Sequence, residues 1–167
     1  MAIDSIFSRA ILVLALFVGG TGIADAHGDE HGMPAMKKPA MMEETAFGRT
    51  GDPKKVTRTV KVLMDDNFHY TPARIVVKQG ETLRIVANNK GKLLHEIVIG
   101  SLDELKEHAK LMRKFPDMEH EAAYMAHVAP GKSEEIVWQF TKPGDFKFGC
   151  LVGGHFEAGM VGDISVR

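Results

Sequence analysis

The stretch Phe146–Val166, FKFGCLVGGHFEAGMVGDISV, decides how the 167-residue chain is read. Phe146, Phe148 and Cys150 alternate on one face of a strand, and Ile164 and Val166 belong to another. The short loop between these strands carries Cys150, His155 and Met160, spaced C-x4-H-x4-M. A thiolate, an imidazole and a thioether are soft and borderline donors, which suit copper far better than calcium or magnesium. A trigonal copper site needs a second histidine, and it must come from elsewhere in the fold.

Strand signals upstream show where. Val56 to Met64 alternates with period 2, and Asp65-Asp66-Asn67 forms a turn before Phe68, Tyr70 and Pro72. Ile75 to Val77 and Thr82 to Ala87 read as strands, separated by Gln79-Gly80. After the turn at Asn88 to Gly91, the strand Leu93 to Ile99 carries His95 in phase with Ile97 and Ile99. His95 therefore points into the apolar layer and is the missing ligand candidate. Further on, Ile136, Trp138 and Phe140 alternate, and Pro143-Gly144-Asp145 turns into the stretch quoted above. About seven short strands with turn signals between them predict an all-β sandwich of Greek-key type.

One excursion interrupts the strands, a helical insertion at about 101–129. Ser101 with Glu104 forms a capping box, and Leu102, Leu105, Ala109 and Met112 follow helical spacing as far as Phe115-Pro116. A second short helix is expected from Asp117 to Met125. The insertion holds Met112, Met118, His120, Met125 and His127, which are candidates for a secondary copper site. Methionine at helical spacing also serves as core filler.

The N-terminus reads as an export signal. Arg9 is followed by the apolar run Ala10 to Val18, then small residues and the A-x-A pattern Ala24-Asp25-Ala26. The run is too short to span a bilayer. Residues 1–26 are expected to be removed, leaving a mature chain in the periplasm with no membrane segment. Loss of Arg9, Asp4 and Asp25 takes the 21 basic and 22 acidic residues to 20 of each. That neutral balance leaves no footprint for nucleic acid or an anionic membrane. Residues 27–53 are poor in β-branched residues and rich in Met, Lys, Gly and Pro, which predicts a flexible arm. His27, His31, Met33, Met36, Met41 and Met42 in that arm are further secondary copper candidates, through imidazole for Cu(II) or thioether for Cu(I). Residues 54–167 make one domain, expected as a monomer. The single cysteine of an exported chain cannot form an internal disulfide, and a lone thiol in an oxidising compartment calls for an occupant.

The chain resembles the cupredoxin family (plastocyanin, azurin and relatives), most closely the periplasmic copper-resistance cupredoxins of bacteria. The resemblance rests on Phe68 and Pro72 through Gly80 to Asn88, Leu94 to Ile99, Phe146 to Cys150, Gly154-His155 and Ala158 to Gly162. It implies a seven- or eight-stranded sandwich with a type 1 copper held by His95, Cys150, His155 and Met160. It also implies a role in copper tolerance or one-electron transfer, with a redox or copper-handling partner protein. Where many small cupredoxins place Asn after the first histidine, this chain has Glu96.

Other readings compete. A domain of a copper oxidoreductase, nitrite reductase or oxidase-like, would need a further copper, often wired through histidines flanking the cysteine. Gly149 and Leu151 flank Cys150 instead. A cysteine nucleophile with His155 or His95 as base lacks an Asn or Asp partner identifiable in the sequence. Zinc would accept His, Cys and His, but Met160 adds nothing for zinc.

Overall fold

The alternating segments do form strands, and they fold into two sheets. A computed structural model describes residues 42–116, 118 and 120–167. The expected signal sequence and most of the expected arm, with His27, His31, Met33, Met36 and Met41, lie outside the described residues. In chain order the strands are β1 (Glu44–Thr45), β2 (Gly48–Thr50), β3 (Arg58–Asp65), β4 (His69–Thr71), β5 (Arg74–Val77), β6 (Thr82–Asn89) and β7 (His95–Gly100). Helix α1 (Leu102–Lys114) follows, then β8 (Met125–Val128), β9 (Ser133–Gln139), β10 (Gly144–Gly149) and β11 (Val161–Val166). One sheet runs β1-β2-β9-β6-β3-β4 and the other β5-β11-β10-β7-β8. The pairs β3–β6 and β5–β11 are parallel, so the chain crosses between sheets before it closes them, as a Greek-key sandwich requires.

The inward face of each strand supplies the core. Val62, Met64, Leu83, Ile85, Ile97, Ile99, Ile136, Trp138, Phe140, Phe148, Ile164 and Val166 interlock between the sheets and exclude solvent. Each such side chain contributes about 1.5–3 kcal/mol relative to exposure. Cys150 and Met160 belong to this cluster, which places the predicted loop on top of the core rather than on a free surface.

All six residues of β7 are buried, which a strand with one solvated face would not show. His95, Ile97 and Ile99 face the sandwich, while Val98 faces a second cluster with Leu105, Ala109, Met112, Met125 and Leu151. Helix α1 supplies Leu105, Ala109 and Met112 to that cluster. The predicted capping box at its start is present, with Ser101 accepting from the Glu104 amide and Glu104 accepting from the Ser101 amide.

Two local expectations are corrected. The second helix from Asp117 to Met125 does not form: among the described residues of that segment none is helical, and Met125 opens β8. Strand β8 pairs antiparallel with β7 and covers an edge that would otherwise offer unpaired amides. The insertion is therefore helical only in its first half. The arm read as flexible to residue 53 gives way to strands from Glu44 onward. Phe47 explains this: it is 2% exposed and packs its ring 5.3 Å from Trp138 and 5.6 Å from Tyr124. Strand β2 then pairs with β9. At Gly48, a Cβ would lie 2.1 Å from the Gln139 carbonyl oxygen, so only glycine allows this approach.

Candidate metal centre

Strands β7 and β10 are antiparallel neighbours, with Gly149 opposite Val98. This register brings the start of β7, where His95 sits, beside the end of β10, where the chain leaves for Cys150. The connecting loop is shaped by backbone bonds: the His155 amide donates to Val152 O (2.9 Å), and the Met160 amide to His155 O (3.0 Å). The Cys150 amide closes the loop onto Met160 O at 3.1 Å.

His95, Cys150 and His155 therefore meet, with one ligating atom from each lying within 4.8 Å of the others. Cys150 Sγ is 3.2 Å from His155 Nδ1. Two donors sharing one transition-metal ion at about 2.0–2.3 Å are separated by roughly 3–4 Å, so this spacing fits. His95 Nδ1 is buried with no hydrogen-bond partner, as a nitrogen reserved for a metal would be. Met160 is fully buried in the same cluster. His155 is the more exposed histidine, at 8% against 0% for His95.

Residues invisible in the sequence motif hold these ligands. Asp66 Oδ1 lies 3.1 Å from His95 Nε2, which fixes the ring and leaves the unpartnered Nδ1 free to ligate. Asp66 is itself held by the amides of Lys92 and Leu93, and these, with His95, keep its carboxyl below the usual range. Gly91 must be glycine for this, since a Cβ there would sit 2.0 Å from Asp66 Oδ1. Asp66→Ala is expected to lower copper affinity by about 10–100-fold, read by competition against a copper chelator. Unchanged affinity would reduce Asp66 to a turn residue.

Glu96 also acts through its backbone and its carboxylate. Its amide donates to Cys150 Sγ at 3.3 Å, its carbonyl accepts from Tyr70 Oη at 2.6 Å, and its Oε2 accepts from the Leu151 amide at 3.2 Å. The main chain of Glu96 thus binds the sulfur whatever the side chain. Phe68, with φ of 61°, lays its ring 4.6 Å from that of His155.

The electrostatics favour a metal over a nucleophile. Burial pushes the Cys150 thiol up to about 12, so it does not ionise on its own near neutrality. Burial and the neighbouring His95 push His155 down, which keeps its imidazole neutral and able to ligate. The acid that orients a histidine, Asp66, contacts His95, whereas the histidine touching Cys150 is His155. Among the described residues, Cys150, His155 and Asp66 therefore do not line up as a nucleophile–base–acid chain.

The secondary candidates divide. Met42 is 83% exposed, and Met125 is buried in the cluster under α1. Met112 and Met118 line a cleft together with His120 and His127. His108, absent from the sequence reading, joins them: its ring lies 4.6 Å from that of His120. The signal available was its place four residues before Met112 on the same helix.

Fold and site together define a cupredoxin. Residues 56–167 match the family of copper binding proteins that comprises plastocyanin and azurin, and the chain belongs to that family. It is 48% identical to the copper-resistant cuproprotein CopI of Rubrivivax gelatinosus, over 98% of this chain and 99% of that one. The copper-resistant cuproprotein CopI of Pseudomonas aeruginosa is 32% identical, over 96% of this chain and 99% of the relative. Among solved structures, dithionite-reduced auracyanin from Roseiflexus castenholzii shares the fold, with a TM-score of 0.58 at 20% identity, covering 67% of this chain and 98% of that one. The cofactor is copper in a type 1 site.

Proposed function

We propose that the chain is an exported periplasmic copper protein of copper tolerance, one that binds copper and passes single electrons rather than catalysing a reaction. His95, Cys150 and His155 are its equatorial ligands, and Met160 is the weak axial one. The observation that carries the proposal is the buried meeting of a thiol with two imidazoles from elements 55 residues apart, one imidazole nitrogen being left without a partner. The relatives named copper-resistant match this chain along nearly their whole length, which supports the tolerance role.

Bound copper supplies a one-electron couple between Cu(I) and Cu(II). The protein's part is to keep the donors in one arrangement for both states. Asp66 fixes His95, the amides of Glu96 and Val152 stabilise the sulfur, and the core under Cys150 and Met160 resists displacement. His155, the more exposed of the two histidines at the site, gives a redox or copper-handling partner its approach. Gly149 and Leu151 beside Cys150 supply no imidazole to wire a catalytic copper, which favours this reading over an oxidase or nitrite reductase domain. The domain plan is a signal peptide to residue 26, an arm bearing His and Met, and the cupredoxin body. Among the described residues no helix is long and apolar enough to cross a membrane.

A copper-challenge complementation tests the role. In cells lacking this protein, the wild-type gene is expected to restore growth at elevated copper and Cys150→Ser to fail. Full rescue by the variant would detach tolerance from this site.

A further inference from the structure

A second cluster of metal-binding side chains lies beside the Glu96 carboxylate. The rings of His108 and His120 are 4.6 Å apart, and those of His120 and His127 are 5.8 Å apart. Three separate segments deliver them: helix α1, the connection after it and strand β8. Pairing of β7 with β8 sets Glu96 opposite His127 and brings Glu96 Oε1 to 3.0 Å from His127 Nε2. The Glu96 side chain is only 2% exposed, so a buried carboxylate oxygen is held beside His127. His120 turns its Nδ1 onto the Met118 carbonyl at 3.1 Å and leaves Nε2 buried with no partner. Above them opens a cleft of about 860 Å³, into which Met112 and Met118 also face.

We propose that His108, His120 and His127, with the Glu96 carboxylate, form a second copper site, one that takes Cu(II). Imidazole and carboxylate donors suit Cu(II), and such a donor set holds Cu(II) more tightly than the other divalent first-row ions. An unpartnered buried imidazole nitrogen in the same cleft as a buried carboxylate is a costly arrangement, and a cation bound there satisfies both. Among the described residues, only the His95–Cys150–His155 group already has three ligating atoms within 4.8 Å, so the second site closes by side-chain rotation as the ion enters. The half-exposed His127 and the open cleft leave room for that rotation. Glu96 ties the sites together, because its amide binds Cys150 Sγ while its carboxylate reaches the cluster. The inference rests on copper being the metal this chain handles.

The test is a Cu(II) titration of the full mature chain, followed by visible absorption and electron paramagnetic resonance. After the thiolate-coloured equivalent, a further equivalent should appear as a colourless Cu(II) species with imidazole nitrogen couplings. The double variant His120→Ala with His127→Ala should take up one copper fewer while the thiolate band stays intact. If it binds the same number of coppers with the same resonance signal, the site does not exist and the extra copper belongs elsewhere, such as the arm. Loss of the thiolate band in the unmodified chain would instead defeat the type 1 reading, independently of the second signal. In the unmodified chain the second equivalent should also broaden the imidazole proton resonances of His108, His120 and His127. Broadening confined to His27 and His31 would overturn the proposal without any variant.

Discussion

Replacing Cys150 with serine is expected to abolish the intense thiolate-to-copper absorption and to weaken copper binding by more than the ~100-fold upper end seen when an outer partner is removed. The sulfur is fully buried and is the one thiol of the grouped His95, Cys150 and His155. Copper binding must displace the thiol proton, because burial holds that proton up to about 12. Across the neutral range each copper bound therefore releases a proton, and affinity rises about tenfold per pH unit. A serine hydroxyl is harder and far less acidic, so it neither ionises in that environment nor suits Cu(I). The Glu96 amide that donates to Sγ remains available to an oxygen, so the variant should still fold. Absorption spectroscopy and chelator competition on the folded variant check this. A retained band would remove Cys150 from the ligand set.

Phe148→Ala is expected to cost about 3–5 kcal/mol of stability, measured by chemical denaturation of the metal-free protein. Phe148 is fully buried two residues before Cys150, with its ring 4.8 Å from Tyr70. It pairs across β10–β11 with Gly162, and its ring fills the space a side chain there would need: a Cβ at 162 would sit 2.1 Å from that ring. Gly162 opposite it has no side chain to swing in and close the cavity, which places the cost toward the upper end. Tyr70, which loses its ring contact, also holds the Glu96 carbonyl, so the damage reaches the copper loop. A loss below ~1 kcal/mol would mean the sheets collapse onto the gap and the loop does not depend on this packing.

The copper loop and much of the sandwich were legible because their signals are local. Period-2 alternation marks β6, β9 and β10, the capping box fixes the start of α1, and a thiol, an imidazole and a thioether on one loop announce a metal. His95 is legible from its phase with Ile97 and Ile99 together with the C-x4-H-x4-M loop, which calls for a second histidine. What escaped was decided by contacts distant in sequence. Strand β2 exists because Phe47 packs on Trp138, and one isolated aromatic in a Met- and Lys-rich stretch carries no period. In β8, Met125 and Val128 are three apart, a spacing that also fits a helix, and only pairing with β7 makes it a strand. Asp66 reads as a turn residue until the fold sets it against His95, 29 positions away.

X-ray absorption at the copper edge, on the full mature chain loaded with one equivalent, tests the central claim most directly. A short copper–sulfur bond with two imidazole nitrogens is the predicted first coordination sphere, the sulfur disappearing in Cys150→Ser and one nitrogen in His95→Ala. A sphere of nitrogen and oxygen alone, unchanged by either substitution, would contradict it.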